Sequence, residues 1–85
     1  MTPPALDART VALVQLAALV VLDAPAGAYR TTVEAAVAGG ASESDVVGTL
    51  LAVAPVAGLA RLVSAAPRLA LALGYDVDRA WESTS

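Results

Sequence analysis

Residues 30–54, RTTVEAAVAGGASESDVVGTLLAVA, decide the fold. An apolar-periodic segment halts at Gly39-Gly40, and Ser42 with Asp45 three residues later supplies an N-cap and an acid for the first turn of a new helix. So short a joint, with nothing in it able to form a strand, predicts an αα-hairpin whose two helices pack antiparallel.

Upstream, Pro3-Pro4 keeps the start extended, and Asp7 is placed to cap a helix over residues 8–22. Its body, VALVQLAALVVL, is apolar on nearly every face, the pattern of a helix surrounded by protein. Gln15 is the exception; if buried, its amide needs a partner, either a neighbouring helix or a ligand. Asp23-Ala-Pro-Ala-Gly27 breaks this helix, and Pro25 suits the first position of the next. There Tyr29, Val33 and Val37 recur at i, i+4 and i+8 as one buried stripe, with Arg30 and Glu34 paired on another face.

Downstream, a third helix is expected from residue 43 to about 54, where Pro55 stops or kinks it. A fourth keeps Leu59, Leu62, Val63, Ala66, Leu69, Ala70 and Leu73 on one side and Ala57, Arg61, Ser64 and Arg68 on the other. The period survives Pro67, which predicts one kinked helix closed by Gly74. Asp76 caps a short last turn over 76–82, with Trp81 covering this subunit's end or a neighbour. The expected fold is therefore all-α: four main helices, an αα-hairpin plus a kinked long helix, in a single domain over residues 5–82 with flexible ends at 1–4 and 83–85.

Composition restricts function. Hydrophobic residues make up 58% of the 85 and charged residues 15%, too few polar groups to cover the large relative surface of so small a domain. Residues 11–22 are too few to span a bilayer, and the apolar tract after Val46 carries Arg61 and Arg68 and is cut by two prolines. Burial against further copies of the chain is therefore expected, and no membrane association. The first residues lack the basic start of a secretory signal, so a cytoplasmic location is expected. The chain has no cysteine and no histidine, which removes disulfides, thiolate chemistry and the usual neutral-pH proton carrier. Five arginines against eight acids, with no basic cluster and few aromatics, argue against nucleic acid as a partner. The dispersed carboxylates predict no metal site, and no cofactor is expected.

The layout resembles the carboxymuconolactone decarboxylase and alkyl hydroperoxidase D-like family over residues 6–73. The resemblance rests on L-D-x-R-T at 6–10, x-x-A-x-x-x-G-A at 34–41, S-E-S-D-V-V at 42–47 with L-L at 50–51, and A-P-x-A-G at 54–58. It implies a homo-oligomer, a trimer or hexamer. The family's peroxidase-like branch carries a glutamate in helix 1, a C-x-x-C at the start of helix 2 and a histidine four residues on. By that spacing the cysteines would fall at Pro25 and Ala28, the histidine at Thr32 and the glutamate near Ala12, and all four are absent. Thiol peroxidase and disulfide reductase chemistry are thereby excluded for this chain acting alone. The decarboxylase branch's histidine would also fall at Thr32, which cannot carry protons near neutral pH.

Two classes of function remain. In one, a small apolar or carboxylate-bearing ligand sits between helices or subunits, with Gln15, Thr32 and Arg61 as contacts. Arg61, Tyr29 and Glu34 are then the candidates for a cofactor-free lyase or isomerase working by orientation and electrostatics. In the other, the scaffold persists without chemistry as an assembly module. Arg61 then bridges to an acid across the oligomer, and Tyr29 is a core residue.

Overall fold

A computed structural model describes residues 5–74, so the expected turn over 76–82 and Trp81 lie outside the described residues. Four helices follow one another: α1 (Ala8–Leu22), α2 (Ala26–Ala38), α3 (Glu43–Ala57) and α4 (Leu59–Ala72). Their ends are set by local chemistry. The Asp7 carboxylate accepts from the Thr10 amide at 2.7 Å and opens α1. Ser42 and Asp45 form a reciprocal capping box at the start of α3, each side chain accepting from the other's backbone amide, at 3.1 and 2.9 Å. Helix α2 closes with Gly40 at φ +100°, a value that favours glycine. The Ala41 and Gly40 amides then donate back to the Ala36 and Val37 carbonyls, so the turn leaves few orphan groups. Gly74, at φ +93°, follows α4 in the same manner, as the sequence predicts.

Two proline expectations resolve toward continuity. Helix α3 runs through Pro55 to Ala57, and Gly58, at φ +85°, separates it from α4. Helix α4 is unbroken through Pro67. Pro25, expected at the first helical position of α2, is its N-cap instead, with an extended backbone of φ −70° and ψ 160°.

Packing departs from the hairpin reading. Consecutive helices α2 and α3 barely touch; each packs on α1 and on α4, which lie between them. The physical reason is the turn at 39–42. Ala41 is buried with Ala12 and Ala36, and Arg9 on α1 reaches Asp45 on α3 at 3.1 Å, so the start of α3 is drawn onto α1. Gly39 lets the end of α2 approach α1 closely: a Cβ there would stand 2.9 Å from the Arg9 backbone nitrogen.

The core is made by Leu16 and Val20 of α1, Tyr29 and Val33 of α2, Val46 of α3, and Ala65 and Leu69 of α4, with Ala24 from the first joint. Helix α1 buries only Ala12, Leu16 and Val20, so a single chain does not surround it, contrary to its all-round apolar pattern. On α2 the third member of the buried stripe is Ala36, whereas Val37 is 55% exposed. On α4 the apolar side is open at its start, with Leu59 75% and Val63 64% exposed, while Ala65 and Leu69 are buried and Leu73 packs against the core. Among the described residues no helix is long and apolar enough to cross a membrane.

Candidate functional site

The joint between α1 and α2 concentrates the unusual features of the chain. Asp23 caps α1 in the left-handed region, at φ 54° and ψ 51°, and is the one described non-glycine residue with positive φ. Aspartate tolerates that conformation better than most side chains, but such a backbone persists only where its surroundings hold it. Here α4 does so. Ser64 and Arg68, one turn apart, both reach Asp23 Oδ1: the Ser64 hydroxyl donates at 2.7 Å and Arg68 Nη1 at 3.0 Å. Arg68 Nη1 also donates to the Ala24 carbonyl at 2.9 Å, so one guanidinium ties the joint through side chain and backbone together.

The electrostatics follow from these contacts. The Ser64 hydroxyl, and behind it the Arg68 charge, hold the Asp23 carboxyl below the usual carboxylate range. Tyr29 lies beneath the pair, wholly buried, and its hydroxyl has no hydrogen-bond partner. Burial pushes that phenol up, with the Asp23 charge adding to the shift and the Arg68 charge opposing it. A buried donor without an acceptor costs about 1–3 kcal/mol.

Two small hollows flank the Asp23–Arg68 bridge. One, of about 110 Å³, is lined by Asp23, Ala60, Arg61 and Ser64. The other, of about 130 Å³, is lined by Ala26, Gly27, Arg30, Arg68, Leu71 and Ala72. Away from the joint are two apolar grooves. One of about 330 Å³ lies between α1 and α3, walled by Leu13, Val14, Ala17 and Val53 among others, with Thr10 and Thr49 as its polar lining. One of about 350 Å³ lies between α3 and α4, walled by Val47, Leu50, Leu69 and Leu73 with Glu43 at its edge.

The candidate residues read from the sequence therefore do not form one cluster. Arg61 is exposed beside Asp23 and Ser64, and Tyr29 is sealed behind them. Glu34 is exposed on α2, and the expected Arg30–Glu34 ion pair does not form; the described ion pairs are Arg9–Asp45 and Arg68–Asp23. Gln15 is exposed on α1, so its amide is free to meet water and needs no partner. Thr32 is half-buried on α2. Of the other positions that the resemblance marks for a thiol relay, Pro25 is exposed, Ala28 is half-buried, and Ala12 sits against Ala36, about three turns along α2 from Pro25. The buried residues of α1 that share the core with Tyr29 are Leu16 and Val20. Asp23, the centre of the network, drew notice in the sequence only as part of a helix break; the i, i+4 spacing of Ser64 and Arg68 on the polar side of α4 was the one signal pointing to it. Among the described residues no three acidic side chains come together to hold a metal ion.

No curated protein and no solved structure matches the chain. A sequence model of one family does, over residues 1–71, a span that takes in α1, α2, α3 and all but the last residue of α4. By that match, covering most of the 85 residues, the chain belongs to the carboxymuconolactone decarboxylase family.

Proposed function

We propose that this chain is a self-associating, thiol-independent member of its family that binds a small apolar or carboxylate-bearing ligand between helices or subunits. The observation that carries this reading is the apolar surface of α1, α3 and α4. Val14, Leu22, Leu51, Val56, Leu59 and Val63 are all exposed in the single chain, with Val56 at 78%. Val14 and Val56 line the groove between α1 and α3, so covering this surface with further copies would convert that open groove into an enclosed site. A trimer or hexamer fits what the family implies. Without cysteine or histidine the chain carries no thiol relay.

The test pairs Leu59→Asp with Val63→Asp on α4. Sedimentation of the parent chain is expected to give the mass of several subunits, and the double variant a lighter species with unchanged helical circular dichroism. A parent that sediments as a single chain overturns the reading.

A second reading is favoured by the joint at Asp23, where a buried phenol, a carboxylate and a guanidinium lie together. It is a cofactor-free lyase or isomerase acting through charge stabilisation. Turnover of lactone or β-keto acid substrates, abolished by Arg68→Gln, is its expected signature; no conversion across such a panel returns the chain to binding alone.

A further inference from the structure

We propose that the hollow between the first turn of α2 and the last turns of α4 holds the carboxylate of a small ligand with a short apolar tail, gripped by Arg30 and Arg68. This rests on the reading of the chain as a binder of small carboxylates and names where that carboxylate sits. Both guanidiniums line the same hollow of about 130 Å³, and among the described residues no carboxylate lines it. The hollow beside Arg61 differs in that respect, because the Asp23 carboxylate forms part of its wall.

Arg68 is committed to the joint through one nitrogen, and Arg30 is bound to no described residue. Arg30 is exposed and makes no described hydrogen bond or ion pair. Arg68 makes both its described bonds through Nη1, leaving the other N–H groups of its five-donor fork available. Asp23 offsets part of the Arg68 charge, and an anion seated between the two guanidiniums gains Arg30 as a full partner and Arg68 as a shared one. A carboxylate matches the planar fork of a guanidinium in size and geometry. The first turn of α2 adds to the same sign, since its N-cap Pro25 has no side-chain hydrogen bond to offer the free amides. Leu71 and Ala72 make the remaining wall apolar, which selects an organic acid over an inorganic anion.

The test is an amide NMR titration of the full chain with benzoate and, separately, with inorganic phosphate, on the parent, Arg30→Gln and Arg61→Gln. Arg30 is exposed and has no partner among the described residues, so its variant is expected to fold. Benzoate is expected to shift the amides of residues 26–30 and 71–72. Arg30→Gln should weaken that binding about tenfold or more, as loss of a charge-assisted contact does, while Arg61→Gln changes it by less than about twofold. Phosphate should bind more weakly than benzoate. If benzoate instead shifts residues 60–64 and is lost in Arg61→Gln, this site is overturned while the ligand reading stands. Equal binding of phosphate overturns the apolar tail. No shift with either probe overturns both the site and the carboxylate reading.

Discussion

Helices α2 and α3 are joined by four residues, yet they are built in opposite ways. Helix α2 is the more polar of the two, with an alanine-rich body, and still buries Tyr29, Val33 and Ala36. Helix α3 carries Val46, Val47, Leu50, Leu51 and Val53 and fully buries only Val46. The helix with more grease is the one less covered by its own chain. Hydrophobicity in this sequence therefore does not translate into burial within one subunit. The region around α1 and α2 is a finished core fastened by the Asp23–Arg68 bridge; the outer faces of α3 and early α4 are apolar surface without a cover in a single chain.

The largest expected contrast sets Tyr29 against Leu51. Tyr29→Ala should remove about 3–5 kcal/mol of stability, because it empties the centre of the finished core. Leu51→Ser, on the exposed face of α3, should change subunit folding by no more than about 0.5 kcal/mol. Urea unfolding in the Leu59→Asp/Val63→Asp background, where the subunits are expected to be apart, checks both, and comparable losses would erase the distinction between the two regions. Next comes Gly39→Ala. The added methyl would meet backbone rather than a movable side chain, so a loss of about 1–3 kcal/mol is expected as α1 and α2 are pushed apart. Tyr29→Phe should have the opposite sign: deleting the unpartnered hydroxyl is expected to raise stability by about 1 kcal/mol, read as a higher urea midpoint. A fall would mean that the hydroxyl has an acceptor in solution.

Smaller effects follow at the helix ends. Ser42→Ala removes half of the capping box and should cost about 1 kcal/mol in the same urea assay, felt in α3 more than in α2. The smallest effect is that of pH. Asp23 is held low by the Ser64 hydroxyl and then the Arg68 charge, and Asp45 by the Ser42 amide and hydroxyl and the Arg9 charge. Both folded-state values lie below the unfolded value of about 3.9, so their contribution is fully present above that pH and is lost as pH falls through the folded values. Urea midpoints should thus be flat between about pH 5 and 8 and decline below about pH 4. In Asp23→Asn, which keeps a side chain tolerant of positive φ, that acid decline should be shallower.

How much of this could be read from the sequence depends on the range of the interaction. Helix ends were legible because each is fixed by neighbours: Asp7 with Thr10, Ser42 with Asp45, Gly39-Gly40 and Gly74. Which face is buried was not legible where a helix is apolar on several sides. Val37 and Ala36 are adjacent, and the 3.6-residue period cannot choose between them without knowing that α1 lies against α2. The same limit hid the weak contact between α2 and α3, decided by Ala41 packing on Ala12 and by the Arg9–Asp45 bridge. The joint at Asp23 escaped for the plainest reason, since its partners Ser64 and Arg68 lie more than forty residues away in sequence. Arg30 and Arg68 meet at one hollow only because α4 packs on α2, a contact that neither helix announces alone.

The central claim is that the uncovered faces of α1, α3 and α4 belong to an assembly. Light scattering behind size exclusion, on the parent chain at low micromolar concentration, tests it most directly. The account predicts a stable mass of several 8.4 kDa chains that persists on dilution. A single species at 8.4 kDa, folded and soluble, would contradict it.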